Sequence, residues 1–284
     1  MICLLGFGEV GQTFAEDLKT GFTAWDVKFS EADSVPSQAA RRLGLAVPET
    51  ERHAIAEADV IICAVTAAQD KKAAQSVAPW LKPGSFFMDV NSASPGQKLE
   101  AAGVIEAAGG RYVEAVIMSP IGNKRLASPV LLGGPHAEEF LPLARKLGFS
   151  GASFYGVELG LASATKLCRS VIVKGLEALL TESMLTARHY GVEDAVLASM
   201  QDFFPGTEWE KLARYMISRA VQHGTRRAEE MREAARTVAD AGLEPHMSLA
   251  TATVQDWASA SKNSLRYQAL SEFLESVRNE SGLK

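Results

Sequence analysis

Short apolar runs recur through the first half of the chain, separated by stretches whose apolar positions follow helical spacing. Residues 2–5, 23–27, 60–64, 86–90, 112–117 and 130–132 read as strands, and residues 12–19, 37–43, 70–80 and 98–108 read as amphipathic helices between them. Strands alternating with helices of this length predict a parallel sheet covered on both faces. Beyond Glu158 the strand pattern stops. Residues 159–190, 192–200, 209–221, 225–241, 246–259 and a last stretch near 265–278 read as helices, with breaks expected at Gly191, Pro205, Gly206, Gly224 and from Gly242 to Pro245. The expected organisation is an α/β domain over residues 1–156 followed by an all-α domain over residues 157–284, with no low-complexity linker between them.

Composition changes this picture little. With 284 residues, 47% hydrophobic and 22% charged, the chain is that of an ordinary soluble protein long enough for two cores. A formal net charge of -5 argues against a general nucleic-acid surface. No stretch approaches the roughly 18 uninterrupted apolar residues of a membrane span. The apolar start turns into glycines at Gly6, as a strand would and a signal peptide would not, so a cytoplasmic location is expected. Cys3, Cys63 and Cys168 all sit among apolar residues and are expected to be buried free thiols.

The first helix is opened by glycines. In "LLGFGEVGQ", Gly6, Gly8 and Gly11 follow the first strand directly, a placement that turns a weak G-x-G-x-x-G match into a dinucleotide-binding signal. Gly6 permits the tight turn, Gly8 lets a pyrophosphate approach the backbone, and Gly11 allows close packing of helix on strand. Phe7, Glu9 and Val10 complete the turn, and the helix N-terminus favours the phosphates. Asp26, 18 positions beyond Gly8 at the end of the second strand, can accept hydrogen bonds from the adenosine ribose and repel a 2′-phosphate, which favours NAD over NADP. Lys28 softens that preference, and Val65 and Thr66 border the cofactor after the strand at 60–64.

"GLASATKLCRSVIVKGLEALL" reads as one long helix with an apolar back half, yet it carries Lys166, Arg169 and Lys174. At 100° per residue, Lys166, Ser170, Lys174, Glu177 and Thr181 fall within roughly a quarter of the circumference. Either this polar stripe meets solvent, or Lys166 has chemistry to perform.

In order along the chain, these blocks resemble the β-hydroxyacid dehydrogenases, the group that contains 3-hydroxyisobutyrate and 6-phosphogluconate dehydrogenases. The resemblance covers most of the sequence. "LLGFGEVGQ" is similar to the family's cofactor loop, "MDVNSASPGQ" to its substrate loop, "YVEAVIMSP" to the segment written D-A-P-V-S-G-G, and "GLASATKLCRS" to G-x-G-x-x-x-K-x-x-N-N. "HGTRRAEEMREAARTVADAGLEP" resembles the C-terminal helical domain of a branch described as 6-phosphogluconate-dehydrogenase-like. The resemblance implies a Rossmann first domain and makes Lys166 the general base that takes a hydroxyl proton as hydride moves to the nicotinamide.

It also implies substrate contacts from Asn91, Ser92, Ser119, Arg169 and Ser170, with Lys174 and His223 as further candidates. Arg169 and Ser170 replace the family's two asparagines, and Asn91 its serine. Ser119 and Pro120 replace its paired glycines, which removes a backbone donor. His223, Arg226 and Arg227 either close over an anionic substrate or pair with Glu229 and Glu230 on a helix surface. The implied activity is NAD-dependent hydride transfer on a small hydroxy acid or polyhydroxylated carboxylate. The expected state is a homodimer through the helical domain, without metal, nucleic acid or membrane. An imine reductase of the same architecture and a non-catalytic dinucleotide sensor are the rival readings. Lys166 counts against both, and Asp26 against the first, which usually takes NADPH.

Overall fold

The computed structural model describes residues 1–283, as two compact units that divide between Lys166 and Leu167. The first unit is built on seven strands: β1 (Ile2–Leu5), β2 (Phe22–Trp25), β3 (Val60–Cys63), β4 (Phe86–Asp89), β5 (Arg111–Ile117), β6 (Val130–Gly133) and β7 (Ala152–Gly156). They form one sheet in the order β2-β1-β3-β4-β5-β6-β7. Its helices are α1 (Glu9–Asp17), α2 (Val35–Arg42), α3 (Glu51–Ile55), α4 (Asp70–Val77), α5 (Pro95–Ala107), α6 (Ile121–Lys124) and α7 (Ala137–Lys146).

The central strands β1, β3, β4 and β5 are buried on both faces, so they read as mainly apolar runs while their side chains still alternate. Leu4, Ile62, Met88 and Val113 pack on one side with Phe14 of α1 and Phe140 of α7. Cys3, Leu5, Ile61, Cys63 and Phe87 pack on the other with Ala101 and Ile105 of α5.

The sheet departs from the expected all-parallel form in one place. β5 and β6 pair antiparallel, with Glu114 opposite Gly133 and Ile117 opposite Val130. The link between them holds only α6 and a short 3₁₀ turn (Arg125–Ala127), so the chain returns without a full crossover helix. The edge strand β7 has no counterpart among the expected strands, because Ser153, Phe154 and Tyr155 are exposed and break the apolar run.

The second unit is all-helical. α8 (Leu161–Tyr190) runs into it from the first unit, followed by α9 (Glu193–Phe203), α10 (Trp209–Asp240), α11 (His246–Ala258) and α12 (Leu270–Glu280). Met184 and Leu185 of α8, Ala213 and Ile217 of α10 and Phe273 and Leu274 of α12 form its main core. Cys168 is exposed, against the expectation of a buried thiol, because the 100° step from buried Leu167 turns it outward. Among the described residues, no helix is long and apolar enough to cross a membrane.

Gly224 does not break a helix. α10 runs continuously through it, replacing the two helices expected on either side. A Cβ at Gly224 would lie 2.0 Å from the carbonyl oxygen of Gln255 and 2.9 Å from Cβ of Ser259, so the glycine lets α11 cross α10 in close contact. Gly224→Ala is therefore expected to destabilise the protein by about 1–3 kcal/mol despite alanine's better helix propensity. Thermal unfolding checks this, and an unchanged or raised Tm would show that the crossing relaxes freely.

Candidate active site

The glycine turn has the form its sequence implies. Gly6 sits at φ +90°, and a Cβ there would come within 2.6 Å of the Ala64 carbonyl oxygen. A Cβ at Gly11 would lie 2.1 Å from the carbonyl oxygen of Gly6, whereas one at Gly8 would meet nothing within 4 Å. The backbone at Gly8 is thus open at the start of α1, where a pyrophosphate needs room, while its two partners are closed by packing. The side chain of Phe7 is fully buried, its ring centroid 5.7 Å from that of Phe29, so only its backbone lines the turn.

Asp26 is committed to that turn. Its Oδ2 accepts from the Phe7 amide at 2.7 Å and its Oδ1 from the Lys28 amide at 2.9 Å. It therefore caps the 3₁₀ turn at Val27–Ser30 and fixes the glycine loop as well. Each oxygen keeps a second lone pair for an incoming hydroxyl. Glu9 and Thr66 are exposed, and Val10 and Val65 are partly buried beside the opening.

Lys166 meets Ser92. Its Nζ donates to the Ser92 Oγ at 2.6 Å, joining the start of α8 to the loop after β4. The approach of α8 is fixed from below by Glu114 on β5, a fully buried carboxylate that accepts from the amides of Gly160 at 2.8 Å and Ser163 at 2.7 Å. A carboxylate there satisfies orphan amides of the first turn and complements the helix dipole. Ser119 Oγ is buried without a hydrogen-bond partner, and Pro120 beside it is exposed.

Asn91 faces the interior. Its Nδ2 donates to Asp70 Oδ1 at 2.7 Å and to Cys63 Sγ at 3.3 Å, and its backbone amide donates to Asp89 Oδ1 at 2.9 Å. With 4% of its surface exposed, it shapes the loop that presents Ser92. Beneath it, Asp89 is held by Lys98 Nζ at 2.7 Å and by the Tyr112 hydroxyl at 2.5 Å, with all three side chains sealed from solvent. Burial, reinforced by the charge of Asp89, pushes the Asp70 carboxyl up to about 8. Asp70 Oδ2 is a buried oxygen with no hydrogen-bond donor among the described residues, so its charged form is costly there.

In the second unit the polar stripe of α8 is interior. Ser170, Lys174, Glu177 and Thr181 are each less than 9% exposed, so the stripe does not meet solvent. Lys174 Nζ is spent on Ser170 Oγ and Glu230, both at 2.8 Å, which ties α8 to α10. Glu177 takes both oxygens to Arg227 and a further bond from Gln255 at 2.9 Å. Of the surface pairs expected on α10, Arg226–Glu230 forms at 3.1 Å, whereas Arg227 turns inward to α8. Arg169 is exposed and His223 half-buried.

Residues 1–140 match the NAD binding domain of 6-phosphogluconate dehydrogenase, and residues 187–258 match a domain of unknown function, DUF1932. Over nearly its whole length the chain is 33% identical to a conserved hypothetical protein from Sinorhizobium meliloti 1021. That match covers 98% of this chain and 96% of the other, with a TM-score of 0.77. The chain thus joins an NAD binding domain of the 6-phosphogluconate dehydrogenase type to a DUF1932 domain.

Further solved structures share its fold. The conserved protein MTH1747, of unknown function and described as structurally similar to 3-hydroxyacid dehydrogenases, is 26% identical over 99% of this chain and 98% of its own, with a TM-score of 0.71. A 3-hydroxyisobutyrate dehydrogenase of Mycobacterium tuberculosis, solved with L-serine, superposes with a TM-score of 0.72 at 18% identity over 98% of both chains. Gly6, Gly8 and Gly11 stand in the glycine turn, Asn91 and Ser92 in the loop after β4, and Lys166 at the start of α8. Glu114, Asp89, Lys98, Tyr112 and Asp70 support that frame from below and escaped the reading of the sequence. Glu114 occupies the aspartate position of the D-A-P-V-S-G-G segment, a signal that was present; the others carry none beyond their place near the substrate loop.

Proposed function

We propose that the protein transfers hydride between NAD and a small hydroxy acid or polyhydroxylated carboxylate, with Lys166 as the proton carrier. The 2.6 Å bond between Lys166 and Ser92 carries the reading, because it joins a base to a hydroxyl that can hold substrate in place. The glycine turn fits a dinucleotide, with Gly8 left open and Asp26 placed to receive ribose hydroxyls. A bound nicotinamide supplies the hydride acceptor or donor. In the oxidative direction Lys166 Nζ takes the proton of the substrate hydroxyl as the C–H bond breaks, and in the reductive direction it returns it. Ser92 Oγ orients the same hydroxyl or the neighbouring carboxylate. That a structural relative was solved as a 3-hydroxyisobutyrate dehydrogenase with L-serine is consistent with a substrate of this class.

The test is NADH formation with a panel of hydroxy and polyhydroxy acids. Turnover confined to hydroxy acids supports the reading, and reduction of imines without oxidation of any hydroxy acid overturns it. Cofactor choice has a test of its own. Asp26→Asn keeps one acceptor for the glycine turn and removes the charge that opposes a 2′-phosphate. It is expected to move the NADP-to-NAD affinity ratio at least about tenfold towards NADP. Fluorescence titration with both dinucleotides measures this, and an unchanged ratio would remove Asp26 from the specificity argument.

A further inference from the structure

α10 carries a surplus of positive charge that its own partners do not cancel. Arg219, His223, Arg226, Arg227 and Glu230 fall within a sector of roughly 100° on that helix. Lys174 and Glu177 face them from α8, and uncharged Gln255 faces them from α11. Arg227 is matched by Glu177, while Lys174 and Arg226 share Glu230. Counting Arg219, the cluster holds four cations against two carboxylates. Glu229 projects about 60° outside the sector, and Glu233, about 20° outside it, is paired with Arg236 at 2.7 Å.

The donors are also unspent. The Nε atoms of Arg219 and Arg227 are both buried without a hydrogen-bond partner; among the described residues Arg219 donates to a neutral oxygen, Gln222 Oε1, at 3.3 Å, and Glu177 acts on it only through space. A buried guanidinium nitrogen without an acceptor is costly. An oxyanion supplies what is missing, namely negative charge and several acceptors in a small volume. Burial and then Arg219, Arg226 and Arg227 push the His223 imidazole down to about 4, opposed only by Glu230, so at neutral pH the ring is uncharged and can donate or accept.

We propose that the face of α10 bearing Arg219, His223 and Arg226 is an oxyanion site for a sulfate-, phosphate- or carboxylate-type group. The site lies wholly within the second unit, and its binding does not depend on the hydride-transfer reading.

Sulfate is the probe for the full-length protein, because it stays a dianion over the accessible pH range. His223 is followed by its imidazole NMR signals, assigned with His223→Gln, while sodium sulfate is titrated against sodium chloride at matched ionic strength. The expected result is a saturable shift at His223 alone among the five histidines, with its titration midpoint raised by at least about one unit. Arg226→Gln, at an exposed position that does not threaten folding, weakens sulfate about tenfold, and so does Arg219→Gln. A linear response equal to that of chloride, or a saturable one that survives both substitutions together, overturns the site. Malonate in place of sulfate reports whether planar carboxylates or tetrahedral groups are preferred, and binding of either supports it. Sulfate binding is expected to persist in Lys166→Met, so loss of turnover and loss of this site are separate results.

Discussion

If the proposed hydride transfer holds, Lys166→Met is expected to lower kcat for hydroxy-acid oxidation by about a thousandfold and to leave dinucleotide affinity unchanged. Methionine keeps the length and most of the packing of lysine at the start of α8 but can neither donate to Ser92 nor accept a proton. General acid–base catalysis by one positioned group supplies about 10²–10⁴ in rate, which sets the scale. Lys166→Arg separates charge from proton transfer. Guanidinium retains the positive charge and can still donate to Ser92, but its pKa above about 12 prevents it from acting as a base near neutrality. It is therefore expected to be nearly as slow as Met. Steady-state NADH absorbance at matched cofactor occupancy measures both variants. An arginine variant with wild-type turnover would leave Lys166 an electrostatic role alone. A methionine variant within about tenfold of wild type would move the proton to another group.

The glycine turn was legible because its motif spacing carries meaning, and the same kind of motif marked Lys166 and Ser92, which the structure brings into contact at 2.6 Å. β1 and β3 were legible because burial on both faces makes each a continuous apolar run, and β4 and β5 because only a single buried carboxylate, Asp89 or Glu114, interrupts an otherwise apolar stretch. Gly224 was misread because a glycine inside a helical pattern looks the same whether it ends the helix or admits a neighbour. Only the position of Gln255 decides, and that is a tertiary fact. The antiparallel entry of β6 is equally invisible to periodicity, since an apolar run has no direction. On α8 the period correctly gathered Ser170, Lys174, Glu177 and Thr181 onto one face, but a polar face reads the same beside water as beside Arg227 and Gln255. Asp89, Lys98 and Tyr112 show the limit most clearly. They lie on three successive elements, β4, α5 and β5, and lysine in a helix is ordinarily a surface residue.

Lys98→Met destabilises the fold by about 3–5 kcal/mol near neutral pH, because it leaves Asp89 as a buried charge without its counter-ion. The cost belongs to the orphaned carboxylate, so Lys98→Met combined with Asp89→Asn recovers much of the loss. Burial pulls the lysine's own pKa down, but Asp89 and Asp70 together hold it above its ordinary value, so the ammonium stays charged. Asp70 adds a dependence on pH. Its folded pKa of about 8 lies well above the ordinary carboxylate value, so between those limits the folded state binds the extra proton. Its contribution to stability is complete below about pH 4 and is lost as pH rises through about 8. Asp70→Asn imitates the protonated acid and removes this slope, so its advantage over wild type grows towards alkaline pH. In Lys98→Met the slope steepens, since Asp89 then also profits from a proton. Urea unfolding between about pH 5 and pH 9 resolves the set. Parallel stability profiles for wild type and Asp70→Asn would mean that Asp70 is already ionised beneath the substrate loop. A Lys98→Met loss below about 1 kcal/mol would mean that water reaches Asp89.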